Sequence, residues 1–407
     1  MGCLVTRLPE VFISVAEDSA DLHAAALVRA ARERGRDWAL HGLTGPRLRE
    51  LGVETVFDFT SHAAMLGGVF RVAGKAWAAL HAAQDSWRRR RPDLVVLLDS
   101  PALHLPLARR AKALGLKVLY YIAPQTWASR EGRVRQIRAW VDRLACILPF
   151  EEAHFRAHGI AAEYVGHPLF ESLAGERPDP ARVARLRGAV DGSNWLPASD
   201  KVIALLPGSR RHVIDAVLPL QLDTLRRLPD ELRSAGLPTA VRGVVSCAAE
   251  DRREQILRHL VRRGMPLEVV VGDNASLLTA ADLVLVASGT ATLHVARYRK
   301  PMVVLYDAGR WLQRPYELAG RLVVRTPHLS LLNVLAGARV VPEFMPFIDD
   351  VQPVARVAAQ LLADDRWREL MVRQIDAVVR PLEGGSPSRR VCELMAELLE
   401  AERSCPR

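Results

Sequence analysis

Side chains that could carry out acid–base chemistry follow two apolar runs in the first part of the chain. The first group comes after residues 11–15 and consists of Glu17, Ser19, Asp21 and His23; the second, after residues 94–98, is Asp99 with Pro101 close behind. A carboxylate there could deprotonate a sugar hydroxyl while its neighbours orient the sugar. Two ordinary alternatives stay open, because Asp18 or Ser19 could cap a helix and Asp99 could form a turn.

Two glycine-containing turns in the second part of the chain suit a phosphate. Residues 205–211 read LLPGSRR and residues 287–292 read ASGTAT, and each turn lies between an apolar run and a helical pattern. They offer backbone N–H groups, hydroxyls and a guanidinium to phosphate oxygens. The residues concerned are Gly208, Ser209, Arg210, Ser288, Gly289 and Thr290. Two such turns favour a nucleoside diphosphate over a single anion. Neither turn is a Walker loop, because the lysine and the second glycine of that motif are missing.

Metal-binding patterns are absent from the sequence. No Asp-x-Asp pair follows a predicted strand, and no histidine–cysteine cluster has ligand spacing. We therefore expect a reaction with no metal and no cofactor, in which positive side chains and helix termini stabilise the leaving diphosphate.

The elements that must position these residues alternate between strands and helices. Strands are predicted at residues 11–15, 93–98, 117–122, 143–148, 201–206, 239–245, 267–271, 282–286 and 302–306. This alternation is typical of parallel sheets with crossover helices, which bind ligands beyond the carboxyl ends of their strands. We predict an α/β domain at residues 1–172, a linker region at 173–200 and a second α/β domain at 201–380. A last segment, 381–407, contains an amphipathic helix that we expect to return to the first domain.

Composition and charge narrow the class of protein. The 407 residues are 49% apolar, which is enough for two cores, and the formal net charge is +10. An arginine-rich chain suggests an anionic partner, although genomic base composition could also produce it. Interleaved basic and aromatic residues are missing, so we expect no nucleic-acid partner. Five scattered cysteines, no apolar stretch of spanning length and no signal peptide predict a cytoplasmic protein.

One amphipathic helix could lie on a membrane surface. Its apolar positions are Leu66, Val69, Phe70, Ala73, Trp77 and Leu80, and four arginines follow at residues 88–91. This pattern suits the inner face of a membrane, and it equally suits a core-facing helix with a basic end.

The motifs together resemble the lipid-A-disaccharide synthase family. The resemblance rests on residues 12–14 with the acidic group after them, Asp99 and Pro101, and residues 120–128, 147–151 and 166–169. It continues with both glycine turns, Ser330, Asn333 and residues 341–343. These blocks follow the family's order from about residue 11 to residue 343.

This resemblance implies a B-type glycosyltransferase fold, with two Rossmann-like domains facing across a cleft. It also implies an inverting, metal-independent transfer of diacylglucosamine from UDP to diacylglucosamine 1-phosphate. Asp99 would be the base, Glu17, Asp21 and His23 would arrange the acceptor side, and the glycine turns would hold UDP. Gln125, Trp127, Asn333 and Glu343 would complete substrate binding, and the amphipathic helix would contact the inner membrane peripherally. Acyl-chain length and oligomeric state are not implied.

Several positions depart from the family's usual residues. Alanines replace glycines at Ala16, Ala20 and Ala24, and histidines replace an asparagine at His104 and a glutamate at His294. Leu332 replaces a proline, and Met345 with Pro346 stands where a glutamine is usual. Donor recognition is the step most affected. A divergent paralogue using another UDP-sugar or acceptor therefore remains an alternative, as does a non-catalytic lipid- or nucleotide-binding relative.

Overall fold

The first sheet contains seven parallel strands. A computed structural model describes residues 7–58, 69–127, 132–188, 201–309 and 327–403. Along the chain the strands are β1 Glu10–Ser14, β2 Ala39–Thr44, β3 Glu54–Asp58, β4 Leu94–Leu98, β5 Val118–Tyr121, β6 Arg143–Cys146 and β7 Ala162–Tyr164. Their order across the sheet is β3-β2-β1-β4-β5-β6-β7. The order therefore reverses between β1 and β4, which are direct neighbours.

Helices cover both faces of this sheet. They are α1 Asp18–Glu33, α2 Pro46–Glu50, α3 Val69–Arg90, α4 Pro101–Ala113, α5 Gly132–Trp140, α6 Pro149–Arg156 and α7 Pro168–Leu173. Strand side chains alternate between the two faces, so Phe12 packs in the core on one side and Ile13 in the core on the other. The predicted helix position Leu66 lies outside the described residues, as do residues 189–200 of the predicted linker.

The second sheet has six parallel strands. They are β8 Lys201–Leu206, β9 Val241–Cys247, β10 Glu268–Val271, β11 Leu283–Ala287, β12 Met302–Leu305 and β13 Glu343–Phe344. The order is β10-β9-β8-β11-β12-β13, so it reverses between β8 and β11. The helices that accompany it are α8 Pro180–Leu186, α9 Arg211–Ser234, α10 Glu250–Arg263, α11 Asn274–Ala280, α12 Ala291–Arg297, α13 Leu331–Ala336, α14 Gln352–Ala363 and α15 Asp365–Val379.

The chain divides into two compact units. One contains residues up to Glu171 and those from Gly384 onward, and the other runs from Ser172 to Glu383. The start of the predicted linker belongs to the second unit, since Asp179 donates its backbone N–H to Ser276 Oγ at 2.9 Å. Arg182 of α8 also pairs with Asp273 at 2.8 Å.

The last helix, α16 Pro387–Arg403, packs on α1 of the first unit. Val391, Leu394 and Met395 enter the same core as Ala24 and Leu27. Burial of this apolar stripe explains why the end of the chain returns to the first sheet. Across the parts of the chain that the structure describes, none of the helices combines the length and apolar character needed to cross a bilayer.

Candidate active site

The acidic group after β1 lies at the reversal point of the first sheet. Glu17 precedes α1 with extended backbone, and its carbonyl accepts the N–H of Asp21 at 3.0 Å. Ser19 is exposed at the start of the helix. The methyl groups of Ala20 and Ala24 are buried in the core beneath α16, so the alanine substitutions fill protein interior.

Asp21 is buried and hydrogen-bonded to backbone. Its carboxylate accepts the N–H groups of Arg47 at 2.8 Å and Leu48 at 3.3 Å, which begin α2. Gly45 makes this contact possible, because a Cβ at that position would lie 2.3 Å from Asp21 Cγ. Asp21 therefore caps α2 and fixes the loop between β2 and α2.

His23 lies near two residues that were not among the predicted site residues, His167 and Glu171. Burial lowers the pKa of His23 to about 4, with Glu171 opposing the shift, so the imidazole is neutral at pH 7. His167 accepts the Leu169 N–H at Nδ1, and its buried Nε2 has no partner among the described residues. Glu171 accepts one hydrogen bond from the Ser386 hydroxyl and another from the Ser388 hydroxyl. The only sequence signal for this group is the GHPL motif at residues 166–169.

Asp99 lies at the carboxyl end of β4, beside the loop that follows β1. Asp99 and Ser100 both have left-handed backbone, with φ of 55° and 41°. The Asp99 carbonyl accepts Tyr120 Oη at 2.5 Å and His104 Nδ1 at 2.7 Å. His104, which replaces the family's usual asparagine, thus helps to hold the Asp99 backbone in place.

The loop after β5 presents Gln125 and Trp127. Gln125 is exposed, whereas Trp127 donates its indole N–H to Glu151 at 3.1 Å and packs edge-on against Phe150. Burial raises the pKa of Glu151 to about 7, although three N–H donors oppose the shift. Glu151 reaches back to the start of α6, accepting the Leu148 N–H at 3.2 Å.

In the second unit, both glycine turns lie at the reversal point of the sheet. Gly208 follows β8 with φ of 97°, and Gly289 follows β11 with φ of 138°. The turns are close, since a Cβ on Gly208 would lie 3.6 Å from the Ala287 Cβ. Arg210, at the start of the long helix α9, is exposed, as is Ser209. Of the six predicted residues in these turns, Gly208 and Ser288 are half-buried and the other four are exposed.

Gln221 supports these turns and was not predicted from the sequence. Its buried amide donates to the carbonyls of Leu206 at 3.1 Å and Leu285 at 2.9 Å. The side chain thereby ties β8 to β11 where the two turns begin. A glutamine inside an amphipathic helix gives no sign in the sequence that it faces inward.

Asn333 and Glu343 contact each other. Asn333 is fully buried, and its amide donates to Val341 O at 2.9 Å and to Glu343 Oε2 at 3.0 Å. The Asn333 Oδ1 accepts the N–H groups of Val340 and Val341. These four bonds use every donor and acceptor of the amide. Asn333 therefore holds Glu343 and its loop in place.

His294 lies one turn into α12. Its Nε2 is 3.1 Å from Glu176 Oε2, which also accepts the Tyr298 hydroxyl at 3.1 Å. Burial opposes ionisation of Glu176, but these hydrogen bonds outweigh it and hold the pKa of the carboxyl below its ordinary value. A carboxylate from the predicted linker region thus lies beside the histidine that replaces the family's usual glutamate.

Comparisons with known proteins agree with these motifs. A family model described as lipid-A-disaccharide synthetase matches residues 11–388. The lipid-A-disaccharide synthase of Myxococcus xanthus is 34% identical over 403 residues, covering 98% of this chain and 100% of that protein. The lipid-A-disaccharide synthase of Nitrosococcus oceani is 33% identical and covers 97% of each chain.

Solved structures share the fold at low sequence identity. A co-structure of S. aureus MnaA with UDP has a TM-score of 0.63 and 13% identity, covering 97% of both chains. The calicheamicin glycosyltransferase CalG4 has a TM-score of 0.56 and 15% identity, covering 98% of this chain and 100% of that one. The predicted α/β class with B-type glycosyltransferase architecture is confirmed. With the family match over nearly its whole length, the chain belongs to the lipid-A-disaccharide synthase family of glycosyltransferases.

Proposed function

We propose that this glycosyltransferase moves a diacylglucosamine from UDP to diacylglucosamine 1-phosphate, with inversion and without a metal. The observation that carries the proposal is the position of the predicted residues in the two sheets. The acidic group and Asp99 flank the reversal of the first sheet, and the glycine turns flank the reversal of the second. Sheets of this kind bind their ligands at such points.

The second unit supplies the donor site. Gly208 and Gly289 let the backbone approach a diphosphate, and the exposed Arg210 adds a positive charge at the start of α9. Ser209, Ser288 and Thr290 add hydroxyl groups beside these glycines. The same groups stabilise the negative charge that develops on UDP as it leaves.

The first unit supplies the acceptor site and the base. The Asp99 carboxylate takes the proton from the acceptor hydroxyl, whose oxygen then forms a bond to the anomeric carbon of the donor. The bond between that carbon and the UDP oxygen breaks, and UDP leaves with the bonding electrons. Attack opposite the leaving group inverts the anomeric centre. Glu17 and the neutral His23 orient the acceptor, whereas Asp21 holds the neighbouring loop.

An activity assay with both acylated substrates tests the base. Asp99→Asn is expected to lower kcat at least about 100-fold while leaving the affinity for UDP unchanged, because general-base catalysis contributes factors of this size. Asp93→Asn is the matched control, since Asp93 lies just before the opposite end of β4 and accepts the Glu10 N–H at 2.8 Å, which asparagine can also do. Full activity of Asp99→Asn would overturn the assignment.

Calorimetric titration with UDP tests the donor site separately. Arg210→Ala is expected to weaken binding about tenfold, because a charge-assisted contact to phosphate is lost. Arg253→Ala is the control, as this arginine lies on α10 with half of its side chain exposed and a 3.7 Å pair to Glu250. Equal affinities of the two variants would contradict the proposed donor site.

Glu176 and His294 bear on which nucleotide the donor carries. We propose that this pair contacts hydroxyl groups of the nucleotide, since the Glu176 carboxylate restores a negative charge beside the substituted position. The alternative, a paralogue that uses another donor, predicts a different nucleotide preference. A thermal-shift screen of nucleotide sugars separates the two: UDP-glucosamine derivatives should stabilise the protein most, and a stronger shift with another nucleotide would favour the alternative.

We further propose that the protein is cytoplasmic and takes its acylated substrates at the inner face of the membrane. Within α3, Trp77 is 63% exposed, and its ring centroid lies 3.9 Å from that of His81 with the two ring planes tilted by 39°. The exposed arginines of residues 88–91 end this helix and follow it. An exposed indole on a helix that ends in positive charge suits an anionic lipid surface.

Sedimentation with vesicles containing anionic lipid tests this surface. Trp77→Ala is expected to reduce the bound fraction several-fold at low salt, because it removes the large apolar side chain that is exposed among the described residues of α3. Leu370→Ala is the control, since this 46% exposed leucine lies on α15 in the second unit. Unchanged sedimentation of Trp77→Ala would contradict membrane docking through α3.

A further inference from the structure

The backbone between β4 and α4 is strained at two consecutive residues. Asp99 and Ser100 have φ of 55° and 41°, although neither is a glycine. The left-handed region is unfavourable for residues that carry a side chain, so neighbouring structure must hold the pair in place. The Ser100 hydroxyl does not help, because its buried Oγ has no hydrogen-bond partner among the described residues.

Hydrogen bonds to the main chain of Asp99 supply that restraint. The Asp99 N–H donates to Tyr121 O at 3.0 Å, which continues the pairing of β4 with β5. The Asp99 carbonyl accepts Tyr120 Oη at 2.5 Å and His104 Nδ1 at 2.7 Å. Both lone pairs of this oxygen are therefore used, and the two side chains that bind it are fully buried.

The partners also determine the protonation of His104. A carbonyl can only accept, so Nδ1 carries the proton and Nε2 accepts from Ser14 Oγ at 2.8 Å. Burial lowers the pKa of His104 to about 4, which keeps the ring neutral at pH 7. Burial likewise raises the pKa of Tyr120, which keeps its phenol a donor. The resulting chain of bonds links β1, β4 and β5 through the Asp99 peptide.

We propose that His104 and Tyr120 are positioning residues that aim the Asp99 carboxylate at the acceptor hydroxyl. The direction of the Asp99 Cβ follows from its φ and ψ, so fixing its peptide fixes where the carboxylate can reach. This inference rests on the proposed function, in which Asp99 is the base. A base displaced by about 1 Å can lose up to a hundredfold in rate, so small rotations of this peptide matter.

Kinetics of Tyr120→Phe test the restraint. Removal of the hydroxyl is expected to lower kcat about tenfold while the KM values for both substrates change less than twofold, since binding groups are untouched. Tyr164→Phe is the matched control, because the buried Tyr164 hydroxyl has no partner among the described residues. A tenfold loss shared by the control, or no loss in Tyr120→Phe, would overturn the inference.

Two substitutions of His104 provide a rescue comparison. Asparagine places an amide N–H near the position of Nδ1 and can still donate to the Asp99 carbonyl, whereas leucine cannot. We expect His104→Asn to keep kcat within about threefold of the parent and His104→Leu to lose about tenfold. Equal kcat values for the two folded variants would contradict a positioning role.

A double-mutant cycle separates this inference from the proposed function. If Tyr120 acts through the Asp99 carboxylate, Tyr120→Phe should not lower the residual kcat of Asp99→Asn any further. A second tenfold loss in that background would show that Tyr120 acts on something other than Asp99. Retention of full activity by Asp99→Asn alone would instead overturn the assignment of Asp99 as the base. The positioning role of His104 and Tyr120 would then be overturned as well.

Discussion

At the scale of single residues, Asn333 shows how a predicted substrate contact can be a structural support. Its amide is fully buried and makes four hydrogen bonds, one of them to the Glu343 carboxylate. Hydrogen bonds from Ser330 and Asn333 outweigh burial and hold the pKa of Glu343 below its ordinary value. Every donor and acceptor of the Asn333 amide is therefore satisfied within the protein, without a ligand.

Asn333→Asp is expected to destabilise the second unit strongly. The change removes two donors and places a second carboxylate against Glu343, which costs about 3 kcal/mol of unfolding free energy when such groups are buried. Urea unfolding at pH 7 measures the loss, and it should shrink at pH 5 as the new pair of carboxyls shares a proton.

Asn274→Asp is the control for this change. Asn274 accepts the Ser246 hydroxyl through Oδ1, and an aspartate at the start of α11 can accept the same bond. Its stability should remain within about 0.5 kcal/mol of the parent. If the two substitutions lower the unfolding free energy equally, the hydrogen-bond partners of Asn333 do not account for the loss.

Sequence patterns identified the residue types at the site but not their partners. Asp21 was predicted from the same strand-end pattern as Asp99, and Asn333 from the family resemblance, yet the polar atoms of Asp21 and Asn333 bind backbone groups of other segments. Gln221 was missed for the converse reason, because only the packing of α9 turns its amide toward β8 and β11. A single sequence gives no information about such long-range pairings.

At the scale of elements, the contact between α1 and α2 depends on one glycine. Gly45→Ala would place its methyl group 2.3 Å from Asp21 Cγ, although the backbone there is ordinary. The Asp21 carboxylate must then leave the start of α2, and we expect a loss of about 2 kcal/mol or more in unfolding free energy. Thermal or urea unfolding measures it.

Two further variants make this prediction specific. In Gly132→Ala, at the start of α5, the new methyl group meets nothing within 4 Å among the described residues, so the change should be neutral or slightly stabilising. Asp21→Ala should make room for the methyl, so the double variant with Gly45→Ala should lose less than the two single losses together. Strict additivity would mean that the methyl and the carboxylate do not compete.

Element prediction succeeded where apolar runs are long and failed where they are interrupted. All nine predicted strands lie in the sheets, whereas β2, β3, β7 and β13 were not predicted. In β2 the pattern is broken by Gly42, which is required because a Cβ there would lie 1.8 Å from Ile13 O. β7 and β13 have three and two residues, too few for a period to be recognised.

At the scale of the whole molecule, buried titratable groups make stability depend on pH. Burial lowers the pKa values of four histidines from 6.5 to about 4: His23, His41, His104 and His167. Between those values the unfolded chain binds more protons than the folded chain, so stability falls as the pH is lowered from about 6.5 to 4. Each group contributes up to about 1.4 kcal/mol per pH unit.

Glu151 acts in the opposite direction. Burial raises its pKa from 4.5 to about 7, so the folded chain keeps a proton that the unfolded chain releases, and stability falls as the pH rises through that range. Four histidines outweigh one carboxyl. Unfolding free energy should therefore rise between pH 4.5 and pH 6.5, by up to about 4 kcal/mol per pH unit.

Urea unfolding across this range, with two variants, tests the balance. His41→Phe should reduce the slope, because His41 is 1% exposed, both of its ring nitrogens are without partners among the described residues, and phenylalanine does not titrate. Glu151→Gln should increase the slope, since the opposing group is removed. The comparison uses slopes, so a constant packing penalty in either variant cancels. Two outcomes would contradict this prediction: an unfolding free energy of the parent that does not change with pH, or a slope that changes in the same direction in both variants. Either would show that the groups whose pKa values are shifted by burial do not govern the stability of the protein in acid.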